Sequence, residues 1–148
     1  MIKLITLITV LIFSLPAFSF EMGSYHNKMA DESTGCWIEV LSNSASIKAD
    51  GHCYTEQGMS YNIIGLVRMN YGLYEYKFEM DGELFINKII VSKDLISFKI
   101  YNIETSEMVQ DEYLKYINDN QVQYYLSYFD FRGDRDVRFD ITLDREVE

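Results

Sequence analysis

Apolar and charged residues alternate along most of this chain. Tyr74, Tyr76, Phe78 and Met80 interleave with Glu75, Lys77 and Glu79. Ile96, Phe98 and Ile100 interleave with Ser97 and Lys99. Val137, Phe139, Ile141 and Leu143 interleave with Arg138, Asp140, Thr142 and Asp144. A period of two with one apolar and one polar face is the mark of a half-buried antiparallel strand. The runs predict strands near 36–42, 45–50, 53–57, 59–69, 72–80, 83–92, 95–103, 107–117, 121–131 and 136–144.

Turn-forming residues separate these runs at short intervals. They are Asp50-Gly51, Gln57-Gly58, Asn70-Tyr71-Gly72, Asp81-Gly82, Lys93-Asp94, Asn118-Asp119-Asn120 and Arg132-Gly133-Asp134. Asp81-Gly82 is the sharpest hairpin signal, because both central residues of a type I′ turn need positive φ. Segment 107–117 is ambiguous. Met108, Val109, Tyr113, Tyr116 and Ile117 fit a helical stripe, yet the following Asn-Asp-Asn turn and Gln121-Val122-Gln123-Tyr124 read as a hairpin. Strand is the favoured reading. About eight to ten short strands at this spacing predict an all-β fold, a single antiparallel up-and-down β-barrel.

The N-terminus follows another rule. Met1-Ile2-Lys3 is a short basic start, and Leu4 to Leu15 is an apolar and hydroxylated run. Pro16 breaks it, and Ala17-Phe18-Ser19 places small residues at the −3 and −1 positions of a cleavage site. Residues 1–19 therefore read as a secretory signal peptide. The apolar run falls short of the roughly 20 residues an anchor needs. No membrane anchor is read. Residues 20–34 are polar and without a clean period. They are expected to form an N-terminal arm, with a helical turn near Ala30-Asp31-Glu32. Residues 35–148 are expected to form the barrel domain. The protein is expected in the periplasm or outside the cell.

Charge narrows the partners. The chain has 13 basic and 23 acidic residues, a net charge of −10. Such a chain repels phosphate backbones and anionic lipid, so nucleic acid and membrane surfaces are poor partners. A basic protein, a cation or a neutral ligand suits it better, although negative charge also serves solubility alone. In an oxidising compartment the two cysteines, Cys36 and Cys53, are expected to form one disulfide.

Gly35-Cys36-Trp37 opens the first expected strand after the arm. Here the chain resembles the lipocalin and lipocalin-like (calycin) superfamily, whose first strand begins with Gly-x-Trp and leads into a closed antiparallel meander. The resemblance spans Gly35 to about Leu143 in pattern and three residues in motif. It implies structural roles for Gly35 and Trp37, with Trp37 as a buried plug at the barrel end. The family also carries a Tyr-rich turn, to which Tyr113-Leu114-Lys115-Tyr116 is faintly similar. A late Arg packs on the Trp; Arg132, Arg138 and Arg145 are the candidates.

The aromatic load is heavy: 12 Tyr, 9 Phe and one Trp. Tyr offers a large apolar face with a polar tip. Tyr74 and Tyr76 share one expected inward face, and Tyr124 and Tyr128 share another. They line a ligand cavity in a hollow barrel or fill the core of a packed one.

Other motifs carry less. Arg132-Gly133-Asp134 spells an adhesion tripeptide, but Gly and Asp serve a turn equally well. Asp130, Asp134, Asp136 and Asp140 offer oxygen ligands to calcium, with a spacing unlike an EF-hand loop. A solvated acidic face is the plainer reading. Nucleophilic catalysis needs an oriented base. The only histidines are His26, in the arm, and His52, beside Cys53. No catalytic residue, metal site or cofactor is assigned, and the chain is read as a non-enzyme. Two functions remain. The first is an exported binding protein that holds a small apolar or aromatic ligand in its barrel. The second is an acidic inhibitor or interaction protein that binds a basic partner such as a lysozyme.

Overall fold

The computed structural model describes residues 20–27, 35–43, 46–55, 60–63, 68–130 and 132–146. The expected signal peptide and the turns expected at Ala30-Asp31-Glu32 and Gln57-Gly58 lie outside the described residues. The described chain is all β. The strands are β1 (Gly23–His26), β2 (Gly35–Ser42), β3 (Ser46–Tyr54), β4 (Ser60–Ile63), β5 (Met69–Asn70), β6 (Gly72–Met80), β7 (Glu83–Val91), β8 (Leu95–Asn102), β9 (Met108–Asn118), β10 (Gln121–Phe129) and β11 (Arg135–Arg145). Among the described residues no helix is long and apolar enough to cross a membrane.

Ten strands form one path, β4-β3-β2-β1-β11-β10-β9-β8-β7-β6, with β5 paired to β3. Each consecutive pair along β6 to β11 is antiparallel. The first strand then joins the last, through Tyr25↔Arg145 and His26↔Asp144. At the other edge, Ile47↔Met69 and Ser46↔Asn70 bring the start of the β6 run against β3. The result is a nearly closed up-and-down barrel. Closure removes sheet edges that would otherwise template aggregation.

Two expectations change on folding, and the favoured strand reading of 107–117 holds. Part of the expected arm is β1, which sits between β2 and β11. Four residues are too few to display a period, so only their pairing reveals them. Tyr25 of β1 is fully buried, and its hydroxyl donates to the Glu21 carbonyl at 2.8 Å. Asp50-Gly51 is not a turn; β3 runs through it. Gly51 lies opposite Ile38, where a Cβ would stand 2.0 Å from the Trp37 carbonyl oxygen. The glycine serves close strand approach. Segment 107–117 resolves as β9. Its helical look arises because Glu112 is buried on the inward row while Tyr113 faces outward against Tyr125.

Asp81-Gly82 does form the predicted hairpin, with φ of 53° and 83° joining Met80 to Glu83. Cys36 and Cys53 are directly opposed, with Cα atoms 4.1 Å apart, and form the disulfide. Both point inward, in a core shared with Ile38, Val40, Ile96, Leu114, Tyr124 and Phe139. Phe20 is buried beneath this core. Its carbonyl accepts from Ser42 Oγ at 2.8 Å, and its ring meets Tyr116 edge-on at 6.1 Å.

Candidate functional site

Cross-strand register places the four tyrosines on three inward rows. One row reads Tyr76↔Asn87↔Ile100↔Gln110↔Tyr128 across β6 to β10. The next reads Tyr74↔Ile89↔Phe98↔Glu112↔Leu126. Tyr124 lies one row deeper, opposite Leu114. Tyr124 is completely buried, Tyr74 and Tyr128 are half-buried against the core, and Tyr76 is 52% exposed. Tyr74 turns its hydroxyl to the Asn70 carbonyl at 2.9 Å, tying β6 to β5. Tyr76 and Tyr128 thus share a row four strand steps apart, while Tyr124 belongs to the packed interior.

Polar residues that alternation does not reveal are interleaved with these tyrosines. Glu112 is buried, and its Oε1 accepts from the Tyr124 hydroxyl at 2.9 Å. Its Oε2 accepts from Gln110 Nε2 at 3.3 Å. Asn87 is 4% exposed and donates Nδ2–H to the Tyr76 hydroxyl at 3.0 Å. Asn87 Oδ1 is buried with no hydrogen-bond partner among the described residues. Burial, reinforced by the Glu112 carboxylate, pushes the Tyr124 hydroxyl far above the ordinary phenol range. Burial and the same carboxylate raise Tyr128. Both hydroxyls therefore remain protonated donors at neutral pH. In a sequence, a Glu or Asn on an inward row is indistinguishable from one on a solvated face. Only strand register and burial separate them.

The Gly35-Trp37 motif lies on the other side of the wall. Trp37 is half-buried on the outward face of β2, its ring 5.8 Å from that of His52. It is not a barrel plug. Cys36, Ile38 and Val40 take the inward positions of β2, so parity turns Trp37 out. Gly35 faces Tyr54 in register. The Tyr54 ring lies over it, with the hydroxyl 2.8 Å from where a Cβ would stand. Of the candidate arginines, Arg145 borders the same cleft as Trp37 and donates Nη2–H to the Met22 carbonyl at 2.7 Å. Arg138 pairs with Asp136 at 2.6 Å.

The remaining motifs serve local structure. Asp130 Oδ1 accepts from the Arg132 and Asp134 amides at 2.8 and 2.9 Å, and Gly133 has φ of 79°. Asp140 accepts from Gln123 at 2.7 Å. His26 meets Glu146 at 3.1 Å outside the barrel.

Fold and site together define a nearly closed antiparallel β-barrel whose aromatic inward face carries a small buried polar group. No protein family, no curated protein and no solved structure matches the chain.

Proposed function

We propose that this chain is an exported, lipocalin-like binding protein. It holds a small ligand with an apolar or aromatic body and one hydrogen-bond donor at the Tyr76–Tyr128 end of the barrel. The observation that carries this reading is Asn87 Oδ1, a buried acceptor without a partner among the described residues, beside the half-exposed ring of Tyr76. A buried unsatisfied acceptor costs about 1–3 kcal/mol, and a ligand donor would recover it. An apolar wall with a few convergent polar groups is the usual make-up of a small-molecule site. The signal-peptide pattern and the disulfide support export.

Titration of the mature protein with a fluorescent fatty-alcohol analogue, whose hydroxyl supplies the donor, tests the reading. Binding should be of about micromolar Kd and nearly indifferent to salt, because apolar burial is not screened. Tyr76→Ala and Asn87→Leu should each weaken it by about tenfold, roughly 1.4 kcal/mol. Absence of saturable binding overturns the proposal, as does wild-type affinity in both variants.

A further inference from the structure

A second arrangement lies on the outer wall. Asp144, His26, Trp37 and His52 are successive register partners across β11, β1, β2 and β3. The row brings both histidines and the single tryptophan of the chain side by side. Beside it opens a cleft of about 670 Å³ whose walls include His26, Trp37, Tyr54, Asp144 and Glu146. That volume is within the range of sites that seat a small group.

We infer that this cleft receives an arginine side chain of a basic protein partner. The walls carry aromatic rings and two carboxylates, which favour a planar cation, and the Arg145 guanidinium, which does not. Trp37 and Tyr54 present aromatic faces, and indole is the best of the aromatic platforms for a cation. Tyr54 can lie flat because Gly35 has no Cβ to lift it. His52, the register partner of Trp37 on β3, sits beside the indole with ring centroids 5.8 Å apart. Asp144 and Glu146 add carboxylates at the rim, and both are exposed. Glu146 is held over the cleft by its 3.1 Å bond to His26. The Arg145 guanidinium, which would oppose a cation, is turned to the Met22 carbonyl at 2.7 Å.

Charge complementarity selects the occupant. An anionic ligand would meet Asp144 and Glu146; Asp144 Oδ1 accepts from Gln121 Nε2 at 2.9 Å and Glu146 Oε2 meets His26 at 3.1 Å, and each carboxylate keeps a second oxygen for a cation. The net charge of −10 draws a basic protein toward this surface at long range. Guanidinium is preferred over ammonium because it stacks on indole and bonds a carboxylate through two parallel N–H groups. The cleft is on the opposite face of the wall from Asn87 and Tyr76, so this site is independent of the barrel ligand.

Trp37 is the only tryptophan, so its fluorescence reports directly on the cleft. The disulfide-bonded mature protein is titrated with an oligoarginine peptide and with an oligolysine of equal length, at low and high salt. Oligoarginine should change the Trp37 emission saturably and bind several-fold more tightly than oligolysine. High salt should weaken both. Asp144→Asn and Glu146→Gln should each weaken oligoarginine by about tenfold, whereas Tyr76→Ala should leave it unchanged. A salt-sensitive association that leaves Trp37 emission unaltered would overturn the site. So would unaltered affinity in both carboxylate variants, or equal affinity for the two peptides. Failure of fatty-alcohol binding with retained oligoarginine binding would remove the barrel reading and leave this one standing.

Discussion

Glu112 and Tyr124 meet inside an otherwise apolar barrel, and their bond governs how that barrel tolerates substitution. The Tyr124 hydroxyl donates to Glu112 Oε1 at 2.9 Å, and both residues are buried. Removing the donor leaves the carboxylate with less compensation in a poorly solvated place. Tyr124→Phe is therefore expected to destabilise the protein by about 1–3 kcal/mol. The double variant Tyr124→Phe, Glu112→Leu should recover much of that loss, because no unsatisfied partner remains. Guanidinium melts of wild type, both single variants and the double check it. An additive double variant would mean that the two residues do not act as a pair.

Among the elements, β1 does most with fewest residues. It pairs Tyr25 and His26 with β11 on one side and Gly23 to His26 with β2 on the other. Removing residues 20–27 would leave β2 and β11 as facing edges and withdraw the buried Phe20 and Tyr25 rings. Exposed edges pair with other chains. The shortened protein is expected to unfold at lower denaturant and to associate as concentration rises, measured by light scattering. An unchanged midpoint and unchanged particle size would show that β1 does not hold the barrel closed. By contrast, β6 is half-open to solvent. Leu73 on its outer face is 79% exposed and Tyr76 on its inward row 52%, and the open inward row suits a strand at the entrance to the proposed ligand site.

Over the whole molecule, buried phenols tie stability to alkaline pH. Burial, the largest cause, pushes Tyr25 from 10.0 up to about 12, and nearby Arg145 only partly opposes it. Tyr124 is raised in the same direction. The folded state thus favours the neutral phenol. The stabilisation is complete below pH 10 and is lost as pH rises toward 12. For Tyr25 alone the loss is about 3 kcal/mol. Denaturant melts at stepped pH, with tyrosinate absorbance recorded in parallel, should show stability falling in this window. Tyr25→Phe should flatten the fall. A stability constant from pH 9 to 12 would refute the link.

The alternating runs of β6, β8 and β11, the Asp81-Gly82 hairpin and the Cys36–Cys53 pair were all legible from residues alone. Each depends on near neighbours or on period, which the chain carries locally. The all-β class and the up-and-down order follow from the same signals, since short turns leave antiparallel neighbours little choice. What joins β1 to β11 could not be read, because a four-residue strand has no period and its partner lies at the other end of the chain. The outward side of Trp37 was hidden for a related reason. A strand's parity is set by which residues its neighbours bury, and here Cys36 is drawn inward by Cys53. Glu112 and Asn87 resemble any surface residues in sequence; only closure of the sheet makes them buried and functional candidates. Local pattern determined the strands. Closure, which matches distant rows to one another, decided which faces line the barrel and which line the cleft outside it.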